Sequence, residues 1–211
     1  PRLTKEVNLD TLTNITTTTS YTYGEFDYPK TVAITYGTGT TVEAVKTHSY
    51  EYEHKNTAAN YVLGALTSDL KADIIPSQQK FWYEKQIYTY NDLQQPVTCV
   101  EYVGASTSSL NKKREIRWTY DTYGNILSEM VAPYNATEFI GKTYAYDSNG
   151  INLQSITNEL GQITTFANYN KFGKPLIITD HKGRVTTDEY DYWGKLISRT
   201  MPDGTVSSTT E

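Results

Sequence analysis

Along most of this chain, apolar and β-branched residues alternate with polar ones in short runs. Gln162-Ile163-Thr164-Thr165-Phe166 and Arg184-Val185-Thr186-Thr187 are clear instances. Strict alternation over a few residues places one set of side chains on each face of a half-buried strand. No long stretch sustains the three- and four-residue apolar spacing that a helix needs. The pattern predicts strands of roughly five to eight residues, joined by tight turns.

The turns recur. Tyr120-Asp121-Thr122-Tyr123-Gly124, Tyr146-Asp147-Ser148-Asn149-Gly150, Tyr169-Asn170-Lys171-Phe172-Gly173 and Tyr190-Asp191-Tyr192-Trp193-Gly194 share one frame, and an aliphatic follows each Gly by three residues: Leu127, Leu153, Leu176, Ile197. The four glycines are 26, 23 and 21 residues apart. A second series alternates with the first: Asn158-Glu159-Leu160-Gly161, Asp180-His181-Lys182-Gly183 and Pro202-Asp203-Gly204, with Gly141 as a weaker earlier member. Asp or Asn at the first turn position bonds the backbone two residues on, and Gly at the fourth accepts the left-handed conformation of a bulged turn. Each unit of about 21 residues thus holds two turns and two strands.

The frame extends toward the N-terminus in worn form. Tyr88 through Val97 aligns without gaps to Ala167 through Leu176, with Gln94 in place of the Gly. Tyr21-Thr22-Tyr23 keeps the tyrosines and Pro29 but lacks the turn Asp, and Tyr50-Glu51-Tyr52 keeps only the tyrosines. The predicted anchors are Tyr23, Tyr52, Tyr90, Tyr120, Tyr146, Tyr169 and Tyr190. Asn56–Gln79 reads as the largest insertion, with Asn60–Leu66 containing a strand that ends at Gly64. The expected organisation is a degenerate β-repeat region with insertions over 1–85 and regular hairpins over 86–211.

Composition narrows the function. The 19 tyrosines stand where other chains use Leu, which suits thin, half-wetted sheets. Net charge is −5 and the 19 basic residues are dispersed, unlike the basic stripe of a nucleic-acid binder. No apolar run approaches the roughly 18 residues of a membrane span. Cys99 is the single cysteine, so no internal disulfide forms. The sequence starts at Pro1 with no initiator Met and no signal peptide, as expected of a fragment or processed product.

Tyr-x-Tyr-Asp-x-x-Gly-x-Ile/Leu at this period resembles the YD repeat, also called the Rhs repeat. The best copies are Trp118 through Leu127 and Tyr144-Ala145-Tyr146-Asp147. The resemblance covers about 86–211 well and 20–85 weakly. It implies an all-β fold of antiparallel β-hairpin repeats that forms a curved or spiralling strip, here a partial shell. In bacterial Rhs proteins and insecticidal toxin complexes such a shell encloses a toxic domain, and teneurins use the architecture for adhesion. The Asp-Pro-x-Gly-Leu-type core that closes many bacterial members is absent, so no self-cleaving aspartate is carried over.

Candidate chemistry is sparse. Asp188, Glu189 and Asp191, with Asp180 and Asp203 on neighbouring turns, form the densest acidic group. Glycoside hydrolysis needs two carboxyls about 5–9 Å apart across a cleft, whereas turn bonding and solvation account for these residues as they stand. His48 and His54 near Glu51 and Glu53 lack metal-ligand spacing, and His181 lies in a distant turn. Cys99, in the strand-like Pro96–Val100 run, reads as a packed thiol. Tyr36-Gly37-Thr38-Gly39-Thr40 reads as a hairpin turn and not a phosphate loop. Trp82, Trp118, Trp193 and the paired tyrosines offer surfaces for sugar rings, but the recurrence of Tyr at one register makes cross-strand stacking the reading that accounts for most of them.

No residue is nominated as catalytic, cofactor-binding or metal-binding, and no cofactor is expected. The expected role is a structural shell or scaffold segment of a secreted or cell-surface protein, not an enzyme. Its partners are neighbouring repeats of a larger shell and an encapsulated polypeptide. The alternative is an adhesive or carbohydrate-binding β-repeat module.

Overall fold

The computed structural model describes residues 2–56 and 61–208. Their fold is all-β. The first strands are β1 (Lys5–Asp10), β2 (Ile15–Tyr23), β3 (Pro29–Thr38), β4 (Thr41–Asn56), β5 (Tyr61–Ile75), β6 (Lys80–Tyr90), β7 (Pro96–Gly104) and β8 (Asn111–Tyr120). The later ones are β9 (Ile126–Pro133), β10 (Ile140–Tyr146), β11 (Leu153–Thr157), β12 (Ile163–Tyr169), β13 (Pro175–Thr179), β14 (Val185–Tyr190), β15 (Leu196–Thr200) and β16 (Val206–Ser208). Their hydrogen-bonded order is their order in the chain, an uninterrupted run of antiparallel hairpins. Two 3-10 turns, Glu25–Asp27 and Pro76–Gln78, are the helical segments among the described residues.

The chain divides into two compact units, Pro1–Ile116 with Ala132–Thr137, and Arg117–Val131 with Glu138–Glu211. In the second, β10 to β15 are 5 to 7 residues long, as the turn spacing predicts. In the first, β4 and β5 run to 16 and 15 residues. The stretch read as an insertion is therefore largely strand, although residues 57–60, including Asn60, lie outside the described residues. The strand does not end at Gly64. β5 passes through it at φ +76, and a register shift lies opposite, between Glu53 and Lys55. Packing demands this glycine, since a Cβ there would sit 2.2 Å from the Tyr28 ring.

Gly141, expected in a turn, lies inside β10 opposite Met130. A Cβ there would fall 2.0 Å from the Glu129 carbonyl oxygen, so close backbone approach selects the glycine. The connection before β10 instead turns at Pro133–Ala136, with Asn135 at φ +59 and the Ala136 N–H donating to Pro133 O at 3.0 Å. Between β3 and β4, Gly39-Thr40 forms a two-residue turn with Gly39 at φ +61.

The seven anchor tyrosines fall one to each even-numbered strand from β2 to β14. The pairing register shifts immediately before Tyr23, Tyr52, Tyr90, Tyr146 and Tyr190. Such a bulge adds local twist and re-aims the side chain. Several anchors then latch backbone: Tyr23 Oη donates to Leu3 O at 2.8 Å, Tyr90 Oη to Leu66 O at 2.7 Å, and Tyr169 Oη to Leu153 O. Ring-on-ring contact gathers around β4, where Tyr28 and Tyr52 lie 5.1 Å apart and Tyr50 and Tyr52 6.3 Å.

Strands such as β8, β12 and β14 largely alternate exposed with half-buried positions, so one face is more covered than the other. Among the described residues the buried apolar side chains are Ala72, Cys99 and Ala132, while Phe81, Trp82, Ile163, Phe172, Val185 and Trp193 remain exposed.

Candidate functional site

The turns are built as their chemistry requires. Asp121 Oδ1 accepts the N–H groups of Tyr123 and Asn125, both at 2.8 Å, and the Gly124 N–H closes on the Asp121 carbonyl. Asn158, Asn170, Asp180 and Asp191 repeat this arrangement. So does Asn91, with Gln94 at φ +62 in the glycine's place. The last turn departs from the frame. Met201 occupies the first position, and Asp203, third in the turn, accepts the Thr205 N–H.

These bonds dispose of most of the acidic group. Asp191 Oδ1 already accepts from Trp193 and Lys195, both at 2.8 Å. Asp180 also pairs with Arg184 Nε at 2.7 Å, and that side chain's bond holds its carboxyl at about 2. Asp188 is buried on β14, where Arg199 of β15 grips both oxygens at 2.6 Å and Tyr190 Oη adds a bond at 3.3 Å. The Arg199 bonds outweigh burial and hold the Asp188 carboxyl below the usual carboxylate range. Glu189 follows on the same strand, so its side chain leaves by the opposite face. Asp188, Glu189 and Asp191 border one open hollow of about 430 Å³, in which Asp188 is held by Arg199 and Asp191 by turn N–H groups.

A polar row that no sequence motif marks crosses the first unit. Tyr50 of β4 registers with Asp69 of β5, Asp69 with Gln86 of β6, and Gln86 with Glu101 of β7. Arg114 of β8 closes the row on Glu101 with two bonds at 2.8 Å, and Gln86 donates to the same carboxylate at 3.2 Å. The Arg114 bonds lower the Glu101 pKa against its burial. Asp69 Oδ1 has no hydrogen-bond partner; His48 Nδ1 stands 3.7 Å away. The signal for such pairs is register: once a hairpin turn is placed, residues 11 or 13 apart, such as Asp188 with Arg199 or Glu101 with Arg114, come face to face.

The remaining candidates scatter. Cys99 is buried on β7 opposite Tyr88, and burial raises its thiol pKa, the opposite of nucleophile activation. Burial, with the thiol beside it, pushes the Tyr88 phenol up to about 12. His54 Nδ1 accepts the Gly64 N–H at 3.1 Å, while Tyr50 and Tyr52 stand between His54 and His48. Among the described residues no three His, Cys, Asp or Glu side chains converge as a metal site. Trp82 Nε1 donates to Glu84 and Trp118 Nε1 to Glu129, whereas the Trp193 indole is 82 % exposed on a turn.

No family model matches the sequence, and no curated protein matches it. Among solved structures, a chain of the TcdB2-TccC3-Cdc42 crystal structure matches 89 % of this chain with a TM-score of 0.53 at 15 % identity. The match spans 10 % of that chain's length. At this identity the likeness shows the fold alone, a run of antiparallel β-hairpins. A porin-like protein from Bacteroides uniformis ATCC 8492 aligns over 92 % of this chain at 14 % identity and a TM-score of 0.37. No helix among the described residues is long and apolar enough to cross a membrane.

Proposed function

We propose that this chain is a wall segment of a larger Rhs/YD-type shell, structural and not catalytic, secreted or displayed at the cell surface around a polypeptide cargo. The observation that carries this reading is a long sheet with few buried apolar side chains. Large apolar side chains such as Phe81, Trp82, Ile163 and Val185 stay exposed, and three small ones are buried among the described residues. A domain that acts alone buries one face of each sheet in a core, whereas a shell wall meets neighbouring coils at its margins and its contents on one face. The fold shared with part of the TcdB2-TccC3 toxin complex supports the reading. So does the engagement of Asp180, Asp188 and Asp191 in turn and ion-pair bonds, which leaves the acidic group little freedom for acid–base work.

Cryo-electron microscopy of the whole polypeptide that carries this segment tests the proposal, joined to limited proteolysis. The expected result is a hollow body with this strip in its wall and a protease-protected polypeptide inside. A strip with both faces open to solvent would overturn it. Hydrolysis of a glycoside, ester or peptide that disappears in Glu189→Gln would overturn the non-catalytic part.

A further inference from the structure

His54 of β4 faces two residues of β5, Leu63 and Gly64, because the register passes from Glu53 opposite Ala65 to Lys55 opposite Val62. Two residues against one make a bulge, and Gly64 at φ +76 supplies its left-handed position. A bulge takes backbone groups out of the strand ladder, and they need other partners. Two side chains supply them here. Tyr28 Oη donates to Leu63 O at 3.2 Å, and His54 Nδ1 accepts the Gly64 N–H at 3.1 Å.

An acceptor at Nδ1 fixes the ionisation state of the ring. A neutral imidazole carries its proton on one nitrogen and accepts at the other, so His54 holds its proton on Nε2. An imidazolium donates from both nitrogens and accepts at neither. Protonation therefore removes the partner of the Gly64 N–H whichever way the ring turns.

Aromatic rings surround this imidazole. The ring centres of Phe26, Tyr28 and Tyr52 lie 4.9, 5.7 and 6.4 Å from that of His54. Phe26 reaches it from a left-handed backbone, φ +54, in the turn Glu25–Asp27, a conformation unfavourable for so bulky a residue. The charged groups around them are engaged or distant. Glu53 and Lys55 flank His54 on β4 and pair with each other at 3.2 Å. Asp27, beside Phe26, pairs with Arg2, and Glu25 is exposed. On β3, Lys30 lies beside Gly24, and farther along β5 Asp69 stands by His48 at 3.7 Å. Among the described residues no carboxylate forms an ion pair with His54. Aromatic faces attract a cation, so the charged ring keeps its place.

We infer that His54 is an acid-sensitive pin on this bulge. Neutral, it holds the Gly64 N–H and closes the bulge; charged, it gives that N–H up to water while the rings retain the side chain. Acid thus opens the β4–β5 pairing at one point and leaves the strands paired on either side. The inference is independent of the shell reading, because it rests on one bulge of the first unit.

Amide hydrogen exchange by NMR on the full chain tests it, read as protection factors so that the intrinsic pH dependence of exchange is divided out. From about pH 7.5 to about pH 5, the range in which an imidazole ionises, protection at Gly64 should fall at least about fivefold, the loss of one hydrogen bond. The fall should follow the titration of the His54 ring and not that of His48 or His181. Gly124, whose N–H is held by the Asp121 carbonyl at 3.2 Å, should keep its protection over the same range. His54→Asn cannot ionise, so in that variant protection at Gly64 should be the same at both ends of the range. Constant protection at Gly64 in the unaltered chain would overturn the inference. So would a fall that persists in His54→Asn, or one matched at Gly124, which would be a general loosening and not a local release.

Discussion

Arg199 closes two guanidinium nitrogens on the two oxygens of Asp188, its direct register partner across β14 and β15, at 2.6 Å each. The Asp188 side chain is 1 % exposed and that of Arg199 42 %. Removing one partner of a buried pair costs about 3–5 kcal/mol. Water reaches the Arg199 side here, so Arg199→Ala should lower unfolding stability by roughly 2 kcal/mol. Urea melts measure it, and a loss no larger than that of an exposed control such as Lys182→Ala would refute the clamp.

Acid should loosen the strip in a defined window. Asp188, Glu101 and Asp180 all titrate below their ordinary values, because Arg199, Arg114 and Arg184 respectively bond their carboxylates. A folded-state pKa below the unfolded one means that the stabilisation is complete above the unfolded value, about 4, and is lost as pH falls through the folded value. The urea midpoint should therefore hold between about pH 7 and 5 and fall below about 4, with the Asp180 contribution disappearing near 2. Asp180→Asn keeps the acceptor for the Lys182 and Arg184 N–H groups but cannot ionise. It should flatten the lowest part of this fall, and an unaltered profile would exclude Asp180 from it.

Strand and turn placement was legible where the turn chemistry is local. Asn170 through Lys174 carries its own instructions: an acceptor at the first position, a glycine at the fourth and β-branched residues around them. What the sequence hid is long-range. The Tyr90 hydroxyl bonds Leu66 O, 24 residues away, and nothing in the repeat frame marks Leu66. Gly141 resembles a turn residue by spacing, yet it serves close packing against Glu129, a relation set by register alone. Neither a tyrosine frame nor a glycine marks the Asp10 turn between β1 and β2 in the sequence; Asn14 takes the left-handed conformation instead.

Gln94 occupies a position that its counterpart, Gly173, fills without strain. Gln94 has φ +62, and its Oε1 is buried without a hydrogen-bond partner. The left-handed conformation costs a non-glycine residue roughly 1–2 kcal/mol, partly offset by the greater unfolded-state freedom of Gly. Gln94→Gly should therefore stabilise the chain by about 1 kcal/mol, read as a higher urea midpoint at unchanged slope. A lower midpoint would mean that the side chain has a role in the fold that outweighs its strain.

Gly150 and Gly183 separate conformation from contact. Both have positive φ, +66 and +76, so alanine is strained at either. At Gly183 the added methyl meets nothing within 4 Å, and Gly183→Ala should cost only the conformational term, about 1 kcal/mol. At Gly150 the same methyl falls 2.2 Å from Tyr123 Cδ2, so the ring must leave. Its hydroxyl then loses Ser148 O, now at 3.3 Å, and the turn-on-turn contact is lost with it. Gly150→Ala should cost roughly 2–3 kcal/mol, the excess being overpacking. Truncating the ring first removes the clash, so in a Tyr123→Ala background Gly150→Ala should fall back to about 1 kcal/mol, a coupling that a double-mutant cycle measures. Equal losses for the two alanines, or a Gly150→Ala loss insensitive to Tyr123→Ala, would show that the aromatic ring does not pack on the next turn's glycine.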